Sequence, residues 1–418
     1  MAKGVTRREG LKLVAASAGA TALAGAAIAA ADKAHGQSGS GGQFDVAVVG
    51  TGVFGAWSAW MLAKAGYRVV LIDQYGPANA RASSAGESRV TRMSYGADTI
   101  YSQMAAQSLP HWQALSARCA LPVFHNFGVL WFSPPGDAYM RQSIEWLDAK
   151  GHAYWRGDAA ALRQRFPQMR FADGEEGFVE LETGALIAGR AVQTLIRETG
   201  APLIIAKAER PVKTSDGSYL VTDGVTARNV VYACGPWLGK LFPDILGGRI
   251  VPTRQEILHF GSAPGDKRFA PPALPVWADN NEGDLAYGIP DVEGQGFKMA
   301  FDRHGPIVDP DSQDRRLSPA MADQAREYLA RRFPDLADAP LIHGRVCQYE
   351  NSSNGDFLID RLPGHDNVWL VGGGSGHGFK HGPAVGELVA RHIADTGLAV
   401  EPRFSLETKG IAAARSVY

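Results

Sequence analysis

The chain has 418 residues, 45% of them hydrophobic, more than a single core usually absorbs, so two domains are expected. With 42 Lys and Arg against 43 Asp and Glu the formal net charge is −1, and no long basic block follows the N-terminal segment, which argues against a nucleic-acid partner. Three cysteines, Cys119, Cys234 and Cys347, are too few for a disulfide framework, and the eleven histidines are scattered without metal-ligand spacing.

In chain order, Lys3, Arg7, Arg8 and Lys12 precede an apolar Ala/Gly-rich stretch from Leu13 to Ala31, and the pattern predicts an export signal over residues 1–36. Thr6-Arg7-Arg8-Glu9-Gly10-Leu11-Lys12 fits the twin-arginine pattern except at Gly10, where Phe is more usual. The twin-arginine export machinery is therefore an expected partner, and a periplasmic or secreted location follows. A permanent anchor or an ordinary secretory signal are the alternatives. Residues 37–43 read as a Gly/Ser linker.

Phe44–Val49 is an apolar strand, Gly50-Thr51-Gly52-Val53-Phe54-Gly55 a turn, Ala56–Ala65 a helix, and Tyr67–Ile72 a second strand ending at Asp73 and Gln74. The three glycines suit a tight turn, close backbone approach to a pyrophosphate, and helix packing, with the helix N-terminus offered to the phosphates. Asp73 stands where a carboxylate accepts ribose hydroxyls, which disfavours NADP and leaves FAD and NAD equal on this motif. Asp98–Cys119 has helical spacing and Gly128–Phe132 reads as a strand, whereas residues 140–170 lack the βαβ rhythm. That rhythm returns with a helix at Leu186–Thr199 and strands at Leu203–Ile205 and Ala227–Ala233. Pro252–Phe301 alternates like antiparallel sheet, and Val368–Val371, Gly372–Gly378 and Ala384–Ala394 give strand, turn and helix.

The fold class expected is α/β: a discontinuous Rossmann-like dinucleotide-binding domain (44–118, 180–250 and 340–400) with an inserted α+β substrate domain containing a mixed or antiparallel sheet (119–179 and 251–339), and a tail over 401–418. Cys119 and Cys234 read as ordinary small core or helix-end residues.

Several segments carry a resemblance. Ser88-Arg89-Val90-Thr91-Arg92 followed by Tyr95-Gly96, then Gly235-Pro236-Trp237, Gly296-Phe297-Lys298, and Gly374-Ser375-Gly376-His377-Gly378-Phe379-Lys380 match, in order, stations of the monomeric sarcosine oxidase and N-methyltryptophan oxidase branch of the D-amino-acid-oxidase-like flavoproteins. The resemblance spans nearly all of Phe44 to Gly397. It implies FAD as cofactor, with Ser84, Arg89, Gly374, Gly376 and Gly378 near it, and it places Cys347 where that branch joins its flavin through sulfur. Arg92 and Lys380 match the cations that grip the substrate carboxylate, Lys298 the lysine that promotes reaction with dioxygen, and His377 a residue facing the flavin pyrimidine edge. Asp302 departs from the branch, where a histidine often stands.

The resemblance thus implies a monomer that oxidises a secondary amino acid, with dioxygen reduced to hydrogen peroxide. Rival readings are a flavin dehydrogenase with another electron acceptor, a D-amino-acid or glycine oxidase with free FAD, and a flavin-retaining protein without turnover. Trp146, Tyr154, Trp155, Trp277 and Tyr287 each suit either core or pocket wall.

Overall fold

The computed structural model of the protein describes residues 43–281 and 285–411. The expected export signal and nearly all of the linker lie outside these residues. Five parallel strands form the centre of the first sheet in the order Leu203–Ile205, Val69–Asp73, Phe44–Val49, Val225–Tyr232 and His365–Gly372. Their residues are apolar on both faces because two separate cores cover them: Val46, Val48, Val69, Leu71 and Val231 face one, and Ala47, Val49, Val70, Ile72 and Val230 face the other. Leu358–Leu362 adds an antiparallel strand beyond His365–Gly372, and Val212–Lys213 and Tyr219–Thr222 extend the opposite end of Val225–Tyr232.

The helix Val53–Lys64 crosses this sheet and packs against the late helix Gly382–Ala394. Contact is close because Gly386 lies on the Trp57 backbone; a Cβ there would fall 2.6 Å from the Trp57 carbonyl carbon. Trp57 itself is fully buried, and removing such a ring typically costs about 3–5 kcal/mol.

The second sheet has eight strands: Tyr154–Asp158, Glu176–Glu180, Val129–Ser133, Val276–Asp279, Ala286–Ile289, Phe297–Phe301, Ile250–Phe260 and Leu341–Ser352. All pairings are antiparallel except Val129–Ser133 with Val276–Asp279. Three strands, Ser88–Thr91, Gly184–Ile187 and Phe124–Asn126, form a small sheet of their own.

Two expected boundaries move. Leu341–Ser352 pairs along its length with Ile250–Phe260, with Cys347 opposite Gln255, so the nucleotide sheet resumes at Leu358 and not at residue 340. The extended, partly polar strand reads equally well in either sheet from sequence. Nor do residues 401–409 behave as a tail: Phe404 is buried, and Arg403 Nη2 bonds Asp356 at 2.6 Å and Asp98 at 3.0 Å. The segment 140–170, which lacks the βαβ pattern, contributes the helix Ala138–Lys150, the strand Tyr154–Asp158 and the helix Ala159–Arg165 to the second domain.

Candidate active site

The turn after the first strand is forced by contacts that only glycine tolerates. Gly50 has φ of +97°, and a Cβ there would lie 2.3 Å from the Ala233 carbonyl oxygen; at Gly55 it would lie 1.9 Å from the carbonyl oxygen of Gly50. Gly52 differs, since its nearest neighbour would be Ser84 Oγ at 3.3 Å and it otherwise borders open space. Ser84 Oγ accepts the Val53 N–H at 2.9 Å and so fixes the start of the helix.

That open space is a cavity of about 380 Å³ between the two sheets. Gly50, Gly52, Val53, Phe54, Asp73, Gln74, Ser84, Arg89, Lys298, Cys347, Gly374, Gly376 and Gly378 line it, which brings thirteen of the predicted residues together. Thr51, Gly55, Arg92, His377 and Lys380 lie behind its wall. Asp73 is already well supplied with donors: its Oδ2 accepts from Thr51 N at 2.7 Å and Thr51 Oγ1 at 2.8 Å, and its Oδ1 accepts from Tyr75 N and Gly76 N. Ribose hydroxyls would have to share these lone pairs, so the carboxylate also serves to lock the turn.

The residues fit a dinucleotide such as FAD. A backbone stripped of Cβ at Gly52, a helix N-terminus opening on the cavity, and a cavity running from the nucleotide turn to Cys347 and Lys298 are all present. Cys347 is buried on the second sheet, and alternation along its strand puts Tyr349 on the same face. Arg315 lies close to Cys347 and to Arg81, Arg254 and Arg345; burial first, then repulsion from those cations, lowers its pKa. Lys298 Nζ donates to the Ser88 carbonyl at 2.8 Å, and burial, followed by the Arg89 charge, brings its pKa down to about 7.

Behind the wall, one aromatic ring organises two buried cations. The Arg92 guanidinium lies 3.9 Å from the Tyr95 ring centroid, and Lys380 Nζ donates to the Tyr95 hydroxyl and the His377 carbonyl, both at 2.8 Å. Arg92 Nη1 also donates to Tyr139 Oη at 2.9 Å and to the Ser94 carbonyl. Glu180 holds the segment in place by accepting the N–H groups of Met93 and Ser94. Burial and then the Arg92 charge push the Lys380 pKa well down. Among the described residues, neither Arg92 nor Lys380 forms an ion pair with a carboxylate.

The His377 ring does not face the cavity. It stacks on Phe357 with centroids 4.9 Å apart, meets Tyr101 edge-on at 4.7 Å, and its Nε2 lies 3.2 Å from the Gly355 carbonyl oxygen. This aromatic packing draws the imidazole into the core, so its expected place at the cofactor edge is corrected. Trp146 and Trp277 join hydrophobic cores, and Tyr154 and Trp155 pack at the rims of two cores; Tyr287 alone of the five aromatic candidates lines the cavity.

Sequence reasoning missed Tyr349, Glu350, Tyr139 and Glu180. Tyr349 was signalled by its spacing of two from Cys347, whereas Glu180, which is far from Arg92 in sequence, gives no local signal. Glu350 lines the cavity with an unpartnered buried Oε1, and burial pushes its pKa up to about 7 against the lowering effect of the Gly373 and Gly374 amides.

Comparison with known proteins agrees with this geometry. Residues 45–392 match the family described as DAO, FAD dependent oxidoreductase. The chain is 29% identical to N-methyl-L-tryptophan oxidase of Salmonella agona (strain SL483) over 386 residues, covering 87% of this chain and 97% of that one. It is 28% identical to monomeric sarcosine oxidase of Bacillus sp. (strain NS-129) over 369 residues, covering 85% and 93%. Among solved structures, a thermally stable mutant of fructosyl peptide oxidase superposes with a TM-score of 0.74 at 22% identity, covering 88% of this chain and 95% of that one. The amino acid oxidase NikD superposes with a TM-score of 0.71 at 22% identity, covering 90% and 99%, which supports the fold. The glycine turn, the cavity it opens on and the match over most of the chain together show that this protein belongs to the DAO family of FAD-dependent oxidoreductases.

Proposed function

We propose that the protein oxidises an N-alkyl or cyclic amino acid at the carbon bearing nitrogen, with FAD held through Cys347 and dioxygen as electron acceptor. The observation that carries the substrate class is the pair of buried cations, Arg92 and Lys380, that share Tyr95 and have no carboxylate ion-paired to either among the described residues. Buried charge without a counter-ion is costly, and a substrate carboxylate supplies one. The guanidinium offers a planar fork and the ammonium a second donor.

The chemistry that bound FAD supplies is acceptance of a hydride equivalent from the substrate and delivery of two electrons to dioxygen, giving hydrogen peroxide. The chain's own residues would do the rest. Gly50, Gly52, Gly55 and Ser84 shape the phosphate end, and Cys347 prevents loss of the cofactor. Arg92 and Lys380 fix the substrate by its carboxylate, an orientation effect that lowers the barrier without an added acid or base. Lys298 places positive charge in the cavity, where it would stabilise reduced oxygen species as they form. Hydrolysis of the released imine needs only water. The relatives named as N-methyl-L-tryptophan oxidase and monomeric sarcosine oxidase support the secondary-amine reading. We propose export by the twin-arginine route as a monomer already carrying FAD, since that route accepts folded proteins.

The test is acid precipitation of the purified protein, followed by mass analysis of the peptide containing Cys347 and a screen of N-methyl and cyclic amino acids with peroxide detection. Flavin on that peptide together with peroxide from a secondary amine is expected. Free FAD in the supernatant with turnover of primary amines only would move the assignment to a D-amino-acid type oxidase.

A further inference from the structure

Asp302 follows the strand Phe297–Phe301, on the side of the alternation that carries Lys298 and Ala300 to the cavity. Its Oδ1 accepts the Tyr349 hydroxyl at 2.7 Å. Tyr349 and its hydrogen-bonded neighbour Tyr287 line the cavity, and the Tyr349 ring packs on Gly376, where a Cβ would fall 2.7 Å from it. Asp302 is therefore joined through one tyrosine to the turn that ends in Lys380. Burial raises the pKa of its carboxyl, and the Tyr349 hydrogen bond followed by the nearby Arg92, His304 and Lys380 oppose that rise without cancelling it.

Despite this proximity, Asp302 forms no ion pair with Arg92 or Lys380 among the described residues. Arg92, Lys380 and Asp302 thus lie within electrostatic reach of one another, beside the cavity that Tyr349 lines, without forming an ion pair among the described residues. A bare carboxylate ligand would complement only the two cations and would meet repulsion from Asp302. A ligand with a carboxylate and a positive charge a few atoms away would complement all three.

We propose that Asp302 makes this a site for zwitterions, with the substrate carboxylate on Arg92 and Lys380 and its protonated amine against Asp302. The proposal rests on the secondary amino acid reading and deepens it by naming the protonation state that is captured. Asp302 is a specificity-determining residue in this scheme, and amines without charge at nitrogen are disfavoured on first encounter.

Two non-oxidisable probes of matched shape separate the charges: dimethylsulfonioacetate, a carboxylate with a permanent cation, and 3-methylbutanoate, the same carboxylate with a neutral carbon in place of the sulfonium. Binding to the holoenzyme is followed by calorimetry and by perturbation of the flavin absorbance. The wild-type protein is expected to bind the sulfonium probe at least about tenfold more tightly. Asp302→Asn should reduce that preference to about twofold or less and should bind 3-methylbutanoate more tightly than wild type does. Tyr349→Phe, which keeps the carboxylate, should retain the preference. Equal binding of both probes by wild type would overturn the Asp302 proposal and leave the carboxylate clamp standing. Preference unchanged in Asp302→Asn would do the same, while failure of either probe to bind wild type would remove the clamp and the proposal together. Equal binding of the two probes by wild type overturns the proposal even if Asp302→Asn does not fold.

Discussion

Alanine at Gly52 and at Gly55 should fail in opposite ways. At Gly55 the new Cβ would sit 1.9 Å from the Gly50 carbonyl oxygen, so helix and turn must separate by about 1 Å before any real contact distance is reached. That shift would loosen Val53, Phe54, Ala56, Trp57, Ala59 and Leu62 from the core and should cost about 3 kcal/mol, or about 5 °C in melting temperature. At Gly52 the backbone is extended with φ of −69°, and the nearest obstacle is a serine hydroxyl at 3.3 Å, so the flavin-free fold should change by less than about 0.5 kcal/mol. The methyl would instead project into the cavity where the pyrophosphate must approach, and FAD affinity should fall about 10- to 100-fold. Urea unfolding of flavin-free protein and FAD titration by fluorescence quenching, both in a Cys347→Ala background that keeps the cofactor exchangeable, separate the two effects. A Gly52→Ala protein that binds FAD normally, or is as unstable as Gly55→Ala, would refute the argument.

Lys380→Met should weaken carboxylate inhibitors about 100-fold, roughly 3 kcal/mol, while leaving the bound flavin spectrum nearly unchanged, as absorbance titration can check. Lys298, with its pKa brought down to about 7, is charged below that pH and neutral above it, so stopped-flow reoxidation by dioxygen should slow as pH rises through 7; in Lys298→Met it should be slow and flat with pH. Glu350 is held neutral to about pH 7 in the folded chain against 4.5 for an ordinary Glu, so the folded state binds the extra proton between those values. Its stabilising contribution is present below pH 4.5 and lost as pH rises to 7, and urea unfolding should show wild type losing about 3 kcal/mol relative to Glu350→Gln across that window. Replacing both Arg7 and Arg8 by Lys should leave the precursor in the cytoplasm, as cell fractionation would show.

The parts of the site legible in sequence are those whose chemistry is local. Gly50, Gly52, Gly55 and Asp73 lie within one strand, turn, helix and strand, and their spacing alone gives the turn and its contacts. Arg92 and Lys380 are 288 positions apart, and only the resemblance unites them. Tyr139 and Glu180 position Arg92 through tertiary contacts from a helix and a strand that carry no motif, so nothing nearby in the chain marks them. His377 was misplaced for a related reason: the turn that holds it is local, but the aromatic cluster of Tyr101 and Phe357 that captures its ring comes from two other segments. The strand Leu341–Ser352 falls in the segment 340–400 expected for the nucleotide domain yet pairs in the second sheet, because a long extended segment does not name its neighbour.

The placement of His365–Gly372 beside Val225–Tyr232 has a consequence for biosynthesis. During translation the nucleotide sheet emerges with that edge open, and it stays open while about 130 further residues leave the ribosome. The second sheet waits for about 80 residues, because Ile250–Phe260 lacks its partner Leu341–Ser352 until then. Each sheet therefore keeps an unpaired edge exposed through much of synthesis, where a partly made chain can pair with another.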